Sequence, residues 1–356
     1  MTPLICTYNI NEIVHTYMIF KDITDINFHG VNVPSHHEFN HEKVYYYEDE
    51  LVGLKSLIAI HSSAKGPAIG GCRYKRYDSF EAGLNDVLRL SKGMTDKNDV
   101  ANIPFGGGKA IIFSQGNKSE AMLQSFASFL NLLKGSYISA EDIGISLEDI
   151  RFIKNHTDYV FDNVDPGPFT AKGLFYSIEQ AIDIYFSEDL KDKKIAIQGA
   201  GSVGKRLAEY LASSGAQVFI SDIDHSKLDE FNNKNIICVD DAFSIECDLF
   251  SPCAVGAIFT KESIYNLNCK IIAGGANNQL LDGTIANELD QMGIVFIPDV
   301  LINSGGVIGL TKDFLNRDDA QTEQALRDIA VRVKSLMIES QQKSISIYDA
   351  LLTKNL

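Results

Sequence analysis

Three features predict a two-domain α/β protein. An apolar strand runs into a turn spaced Gly199-x-Gly201-x-x-Gly204, strands and helices alternate beyond it, and the composition breaks at residues 161–173. That break, FDNVDPGPFTAKG, holds two prolines and two glycines where the pattern changes, and it marks the crossover between domains. The expected division is an arm at 1–42, an N-terminal α/β domain at 43–165, a doubly wound parallel sheet at 166–315 and a helical segment at 316–356. The two domains are expected to flank a cleft, with the C-terminal helix returning to the first.

The chain has 356 residues, 45% hydrophobic and 22% charged, the profile of an ordinary globular protein. No run of 18 apolar residues is present to span a membrane. The start lacks a basic stretch and carries Glu12 and His15, so it reads poorly as a secretion signal. Six cysteines without a CxxC pair suit buried thiols of a cytoplasmic protein. A net charge of −15 argues against nucleic acid as a partner, because phosphate binding needs a basic face.

Taken in order, residues 1–42 read as an irregular arm broken at Gly30 and Pro34. His36, His37 and His41 are a poor metal set, since adjacent side chains on extended backbone point to opposite faces. Residues 43–60 read as two strands around an acidic turn at Gly53. Gly66, Gly70 and Gly71, close to Arg73, form a segment where backbone can meet a ligand. Leu84, Val87, Leu88 and Ser91 have helical spacing. Two lysines follow, Lys97 and Lys109, and the second closes the run Gly106-Gly107-Gly108. These glycines are expected to admit a ligand and to deliver Lys109 at the mouth of a cleft. The bland alternative is a Gly-rich turn with a surface lysine. Residues 118–133 give a second amphipathic helix, and 137–144 a strand ending on Glu141 and Asp142. Ser146 with Asp149 fits a capping box for the next helix, which leaves Asp142 without a capping task and makes it a site candidate.

Beyond the crossover, the strand at 194–198, the glycine turn, a helix and a second strand ending on Asp222 reproduce the context a Rossmann dinucleotide site requires. The first glycine allows the tight turn, the second admits the pyrophosphate to a helix N-terminus, and the third lets helix and strand approach. Asp222 would accept from ribose hydroxyls and repel a 2′-phosphate, so NAD is the expected cofactor. Ser202 and Val203 in the turn and Thr170 at the crossover join the candidates. Strands at 249–251, 270–273 and 294–297 bring Cys253, Ala254, Asn277 and Asn303 to the ligand-bearing edge. No histidine neighbours Cys253 in sequence, so it lines the site and is not a nucleophile.

The segments GPAIGGCR, GMTDKND, NIPFGGGKAII, SAEDIG, QGAGSVG, FSPCAVG, GGANNQL and PDVLINSGG occur in this order from about Lys43 to Gly309. Together they resemble the glutamate, leucine, phenylalanine and valine dehydrogenases, the leucine type above all. The resemblance implies that Lys97 binds the substrate carboxylate, that Lys109 is the catalytic base and that Asp142 shuttles the proton. It also implies that Gly70, Gly71 and Met94 surround the substrate, with Asn303 near substrate and nicotinamide. The implied reaction is reversible NAD-dependent oxidative deamination of an amino acid by a homo-oligomer, a dimer or octamer. Enclosing a lysine beside another cation disfavours its charged form by desolvation and by like charge, as a base requires. Apolar Ile69 and Ala140 favour a branched-chain side chain. Asp96, Asp99, Ile145 and Asp349 depart from the family pattern and leave two alternatives open: a non-catalytic NAD-binding paralogue, or the same chemistry on an aromatic amino acid.

Overall fold

The computed structural model describes residues 17–33, 40–231, 235–254, 256 and 258–353. The chain divides into two units, Met1–Val164 and Asp165–Leu356. In the first, β1 (Met18–Asp22) and a small hairpin of β2 (Asn27–Phe28) and β3 (Val31–Asn32) precede β4 (Lys43–Asp49) and β5 (Leu54–Ser62). Then come β6 (Ala68–Lys75), α1 (Phe80–Val100), β7 (Gly106–Phe113), α2 (Glu120–Leu132), β8 (Tyr137–Ala140) and α3 (Leu147–Lys154). The sheet order is β1-β4-β5-β7-β6-β8, with β7, β6 and β8 parallel. Leu84, Val87 and Leu88 of α1 pack against Leu57, Ala59 and Ile111 on one face. Phe126 and Phe129 of α2 and Ile150 and Ile153 of α3 cover Ile58, Ala110 and Ile112 on the other.

Two local expectations change, for the arm and for the glycines before Lys109. The arm is not irregular over residues 17–33: β1 pairs with Tyr45–Asp49 of β4, which satisfies backbone groups an open edge would leave free. His36 and His37 lie outside the described residues. His41 is buried, with Nε2 2.7 Å from Ser91 Oγ and 3.1 Å from Leu88 O, and burial together with His61 pushes its pKa down to about 4. The Gly70–Gly71 segment, for which the sequence assigns no element, is strand. The three glycines before Lys109 also lie inside a strand, and none of them has a positive φ. Their task is close packing: a Cβ on Gly107 would stand 2.1 Å from Thr95 N of α1, and one on Gly106 would stand 2.0 Å from Ser62 O.

The second unit opens with α4 (Gly167–Phe186), which starts earlier than its apolar pattern because Pro168 suits a first helical turn. It continues through β9 (Lys194–Gln198), α5 (Ser202–Ser213), β10 (Gln217–Ser221), β11 (Ile236–Cys238), β12 (Leu249–Pro252) and β13 (Ile271–Ile272). It ends with α6 (Thr284–Gln291), β14 (Val295–Phe296), α7 (Asp299–Ile302), α8 (Gly305–Thr311), α9 (Asp319–Lys343) and α10 (Ile347–Leu352). All six strands are parallel in the order β11-β10-β9-β12-β13-β14, so the order reverses between β9 and β12. Strand β11 was not legible in the sequence, being three residues long beside an Asn-rich stretch. Helix α9 lies along α4, where Leu326 and Ile329 meet Gly173, and its partners α4, α7, α8 and α10 belong to the second unit. Among the described residues no helix is long and apolar enough to cross a membrane.

Because the Gly107 position has no room, Gly107→Ala should lower stability by about 1–3 kcal/mol, read from the urea midpoint. An unchanged midpoint would show that α1 can lift away from β7 at little cost.

Candidate functional site

Lys109 sits in the middle of β7, paired in register with Ala59 of β5 and 6% exposed. Its Nζ is 3.1 Å from Oδ2 of Asp142, which follows the end of β8. The same Oδ2 accepts from Arg73 Nε at 2.8 Å. Asp142 therefore has the partner that capping logic could not supply. The expectation for Lys109 named a neighbouring cation and omitted this counter-charge. Burial pushes the Asp142 carboxyl up, but Lys109 and Arg73 outweigh it and hold the group at about 2.

The β6–β7 register is interrupted beside Lys109, although a Cβ on Gly70 would stand 1.9 Å from Gly108 O. The β6–β7 ladder pairs Ile69 with Gly107 and next Cys72 with Ala110, skipping Gly70 and Gly71. The buried Tyr137 hydroxyl donates to both skipped carbonyls, at 2.6 Å to Gly70 and 3.2 Å to Gly71. A Cβ on Gly70 would lie 3.3 Å from Met94 Cγ, and one on Gly71 would lie 2.8 Å from Asp142 Cβ. Gly70, Gly71, Met94, Lys109 and Asp142 thus converge, with Ala140 paired to Gly71. Lys97 is half-buried on the same turn of α1 as Met94, and Asn98 anchors that turn by donating to Gly106 O at 2.7 Å. Ile69 and Ala140 are both buried.

The departures from the family pattern acquire local partners. Asp96 pairs with Lys92 and Asp99 with Lys65, each at 2.6 Å. Ile145 packs into the core under α2 and α3, and Asp349 accepts from Ser346 at the start of α10.

In the second unit the three glycines of the turn differ in surroundings. Gly199 takes φ +104°, a Cβ on Gly201 would meet open space, and one on Gly204 would stand 1.9 Å from Gly199 O. No side chain caps the N-terminus of α5. Asp222 Oδ2 accepts from Ala200 N at 2.8 Å, while Lys227, which sequence reading passed over, lies 3.3 Å from Oδ1. Ser202 is exposed and Val203 half-buried in the same turn, and Thr170 is buried with its hydroxyl bonded back to Pro166 O. Ala254 lies against Gly199, and burial pushes the Cys253 thiol up, as befits a lining residue. Asn303 Nδ2 donates to Asn277 Oδ1 at 2.9 Å. Asn303 Oδ1 and Gln198 Oε1 are buried acceptors without a donor among the described residues. An open glycine, an uncapped helix start, a ribose-type acid and two orphaned acceptors fit a dinucleotide. Among the described residues no group of three His, Cys, Asp or Glu is placed to hold a metal.

Comparison with known proteins agrees with this architecture. The Glu/Leu/Phe/Val dehydrogenase dimerisation domain matches residues 38–159, and the Glutamate/Leucine/Phenylalanine/Valine dehydrogenase family matches 167–226 and 220–350. Leucine dehydrogenase of Bacillus subtilis (strain 168) is 35% identical over 87% of this chain and 89% of its own. Phenylalanine dehydrogenase of Lysinibacillus sphaericus is 37% identical over 76% and 75%. The crystal structure of L-tryptophan dehydrogenase from Nostoc punctiforme superposes with a TM-score of 0.78 at 34% identity, covering 89% of this chain and 95% of that one. The chain belongs to the glutamate/leucine/phenylalanine/valine dehydrogenase family and is an amino acid dehydrogenase by descent.

The Asp142 geometry carries a pH signature. A carboxyl held at about 2 against an ordinary 3.8 contributes about 2 kcal/mol, present above pH 4 and lost as pH falls toward 2. The stability gap between wild type and Asp142→Asn, from urea titrations at stepped pH, should therefore narrow below pH 4. A gap that stays constant to the acid limit would contradict the ion pair.

Proposed function

We propose that the protein catalyses reversible oxidative deamination of an apolar L-amino acid, branched-chain by preference, to a 2-oxo acid and ammonia, with NAD as its cofactor. The observation that carries this reading is the buried Lys109–Asp142 contact in a chain of this family. Lys97 holds the substrate carboxylate, and the backbone at Gly70 and Gly71 confines the α-carbon. Lys109 takes the proton released when the amine becomes an imine, and later the proton of the water that attacks it. Asp142 passes protons between Lys109, water and the departing ammonia. The dinucleotide, when bound, supplies the acceptor for the hydride leaving the α-carbon. The turn at Gly199, Gly201, Ser202, Val203 and Gly204 holds its pyrophosphate, and Asp222 its ribose. Thr170, Cys253, Ala254, Asn277 and Asn303 are the remaining contacts to the dinucleotide.

Apolar Ile69 and Ala140 support an aliphatic side chain. An aromatic substrate is the second reading, favoured by the similarity to the phenylalanine and tryptophan enzymes. The local partners of Asp96 and Asp99 and the core position of Ile145 weigh against a non-catalytic paralogue. The matched dimerisation domain supports a homo-oligomer, for which a dimer or octamer is the proposed state, and the proposed location is the cytoplasm.

Formation of NADH with each of the twenty L-amino acids at alkaline pH tests the reading. Leucine, isoleucine and valine should turn over fastest, and no turnover despite intact NAD binding would sink it. Lys109→Ala should cut kcat about 10²–10⁴-fold while leaving the Kd for NAD unchanged. Asp222→Asn keeps an acceptor for Ala200 N–H and removes the charge, so the ratio of NADP to NAD activity should rise. An unmoved ratio would clear Asp222 of cofactor choice.

A further inference from the structure

Lys109 is the inner end of a chain of alternating charge. Lys109 meets Asp142, Asp142 meets Arg73, Arg73 Nη1 meets Asp86 of α1 at 3.0 Å, and Asp86 is held by Arg89 at 2.9 Å and by Tyr77 OH at 2.8 Å. The middle of this chain is withdrawn from water: the Arg73 side chain is 11% exposed and that of Asp86 14%. Buried ion pairs stabilise a fold little better than apolar packing would, so a buried arginine clamped between two acids has no obvious stability rationale. Its geometry is specific, however. Nε is committed to Asp142 and Nη1 to Asp86, a two-sided grip that a lysine cannot reproduce. Among the described residues no donor reaches Asp142 Oδ1, and the side chain remains 19% exposed.

We propose that Arg73 is the positioning residue of the Lys109–Asp142 pair: anchored through Asp86, it fixes Oδ2 against Lys109 and leaves Oδ1 to face the reacting amine or its water. The proposal rests on the deamination reading for its consequence, but its geometry can be tested without turnover. The titratable groups around Asp142 are Lys109 of β7, Arg73 and Cys72 of β6, Tyr137 of β8 and, beyond Arg73, Asp86 and Tyr77.

The experiment follows the Asp142 carboxyl carbon by ¹³C NMR in protein labelled at aspartate, assigned by its loss in Asp142→Asn. Arg73→Gln should move the midpoint of this carbon up by about 1–3 pH units. It should also lower kcat for deamination by about 10²-fold and displace the pH–rate profile, with the Kd for NAD unchanged. Arg73→Lys should restore most of the midpoint but little of kcat, because the charge returns without the grip. Asp86→Asn, which retains the arginine but loosens its anchor, should show the same effects in weaker form. An Asp142 midpoint and a pH–rate profile both unmoved in Arg73→Gln would overturn the proposal while leaving the deamination reading intact. If wild-type protein turns over no amino acid, the deamination reading falls, and the NMR midpoint alone decides the role of Arg73.

Discussion

Lys109 is buried in the middle of a sheet, and an amine that is to gain a proton there requires a counter-charge in contact. Asp142 supplies it, which ties the turn after β8 to β7 across the intervening strand β6. The turn is made rigid in turn by Gly144 at φ +79°, by the paired backbone of Asp142 and Ile145, and by Ile145 in the core. Arg73 then links the pair to α1, the helix that also carries Met94 and Lys97. Sheet, turn and helix are in this way fixed relative to one nitrogen.

The glycines around Lys109 serve that arrangement by removing volume. Gly107 admits α1, Gly108 admits the Tyr137 ring, Gly70 lets β6 approach Gly108 O, and Gly71 lets it approach the Glu141–Asp142 turn. In the second unit glycine has a different use. Gly199 needs a positive φ, Gly201 faces empty space, and Gly204 allows the helix to touch the turn it follows. The same residue type thus meets helix packing in one unit and leaves open space in the other.

Where local chemistry fixed the outcome, reading the chain worked. The capping box of Ser146 and Asp149, the apolar stripes of α1, α2 and α9, and the strand–turn–helix around Gly199 all depend on residues within a turn or two of each other. The glycine part of β7 reads as a turn and β6 as a segment without an assigned element, because glycine signals a turn until a neighbouring helix or strand shows what the missing side chain makes room for. Strand β1 was hidden for a different reason: it is itself the edge strand, half-buried along most of its five residues, and shows no alternating hydrophobic period. Arg73 stood in plain view beside Gly71, but its two acids lie 13 and 69 residues away.

The sequence by itself determined the kind of protein: an α/β chain with a nucleotide half, two lysines and an acid in one order, and the family to which that order belongs. Tertiary structure decided what those groups touch. Spacing places a residue on a strand or a helix, but the sheet order β7-β6-β8 was needed to bring Lys109, Arg73 and Asp142 to one oxygen atom. Electrostatics at a buried site depends on distances of a few ångströms between residues far apart in the chain, and those distances exist only once the strands have paired.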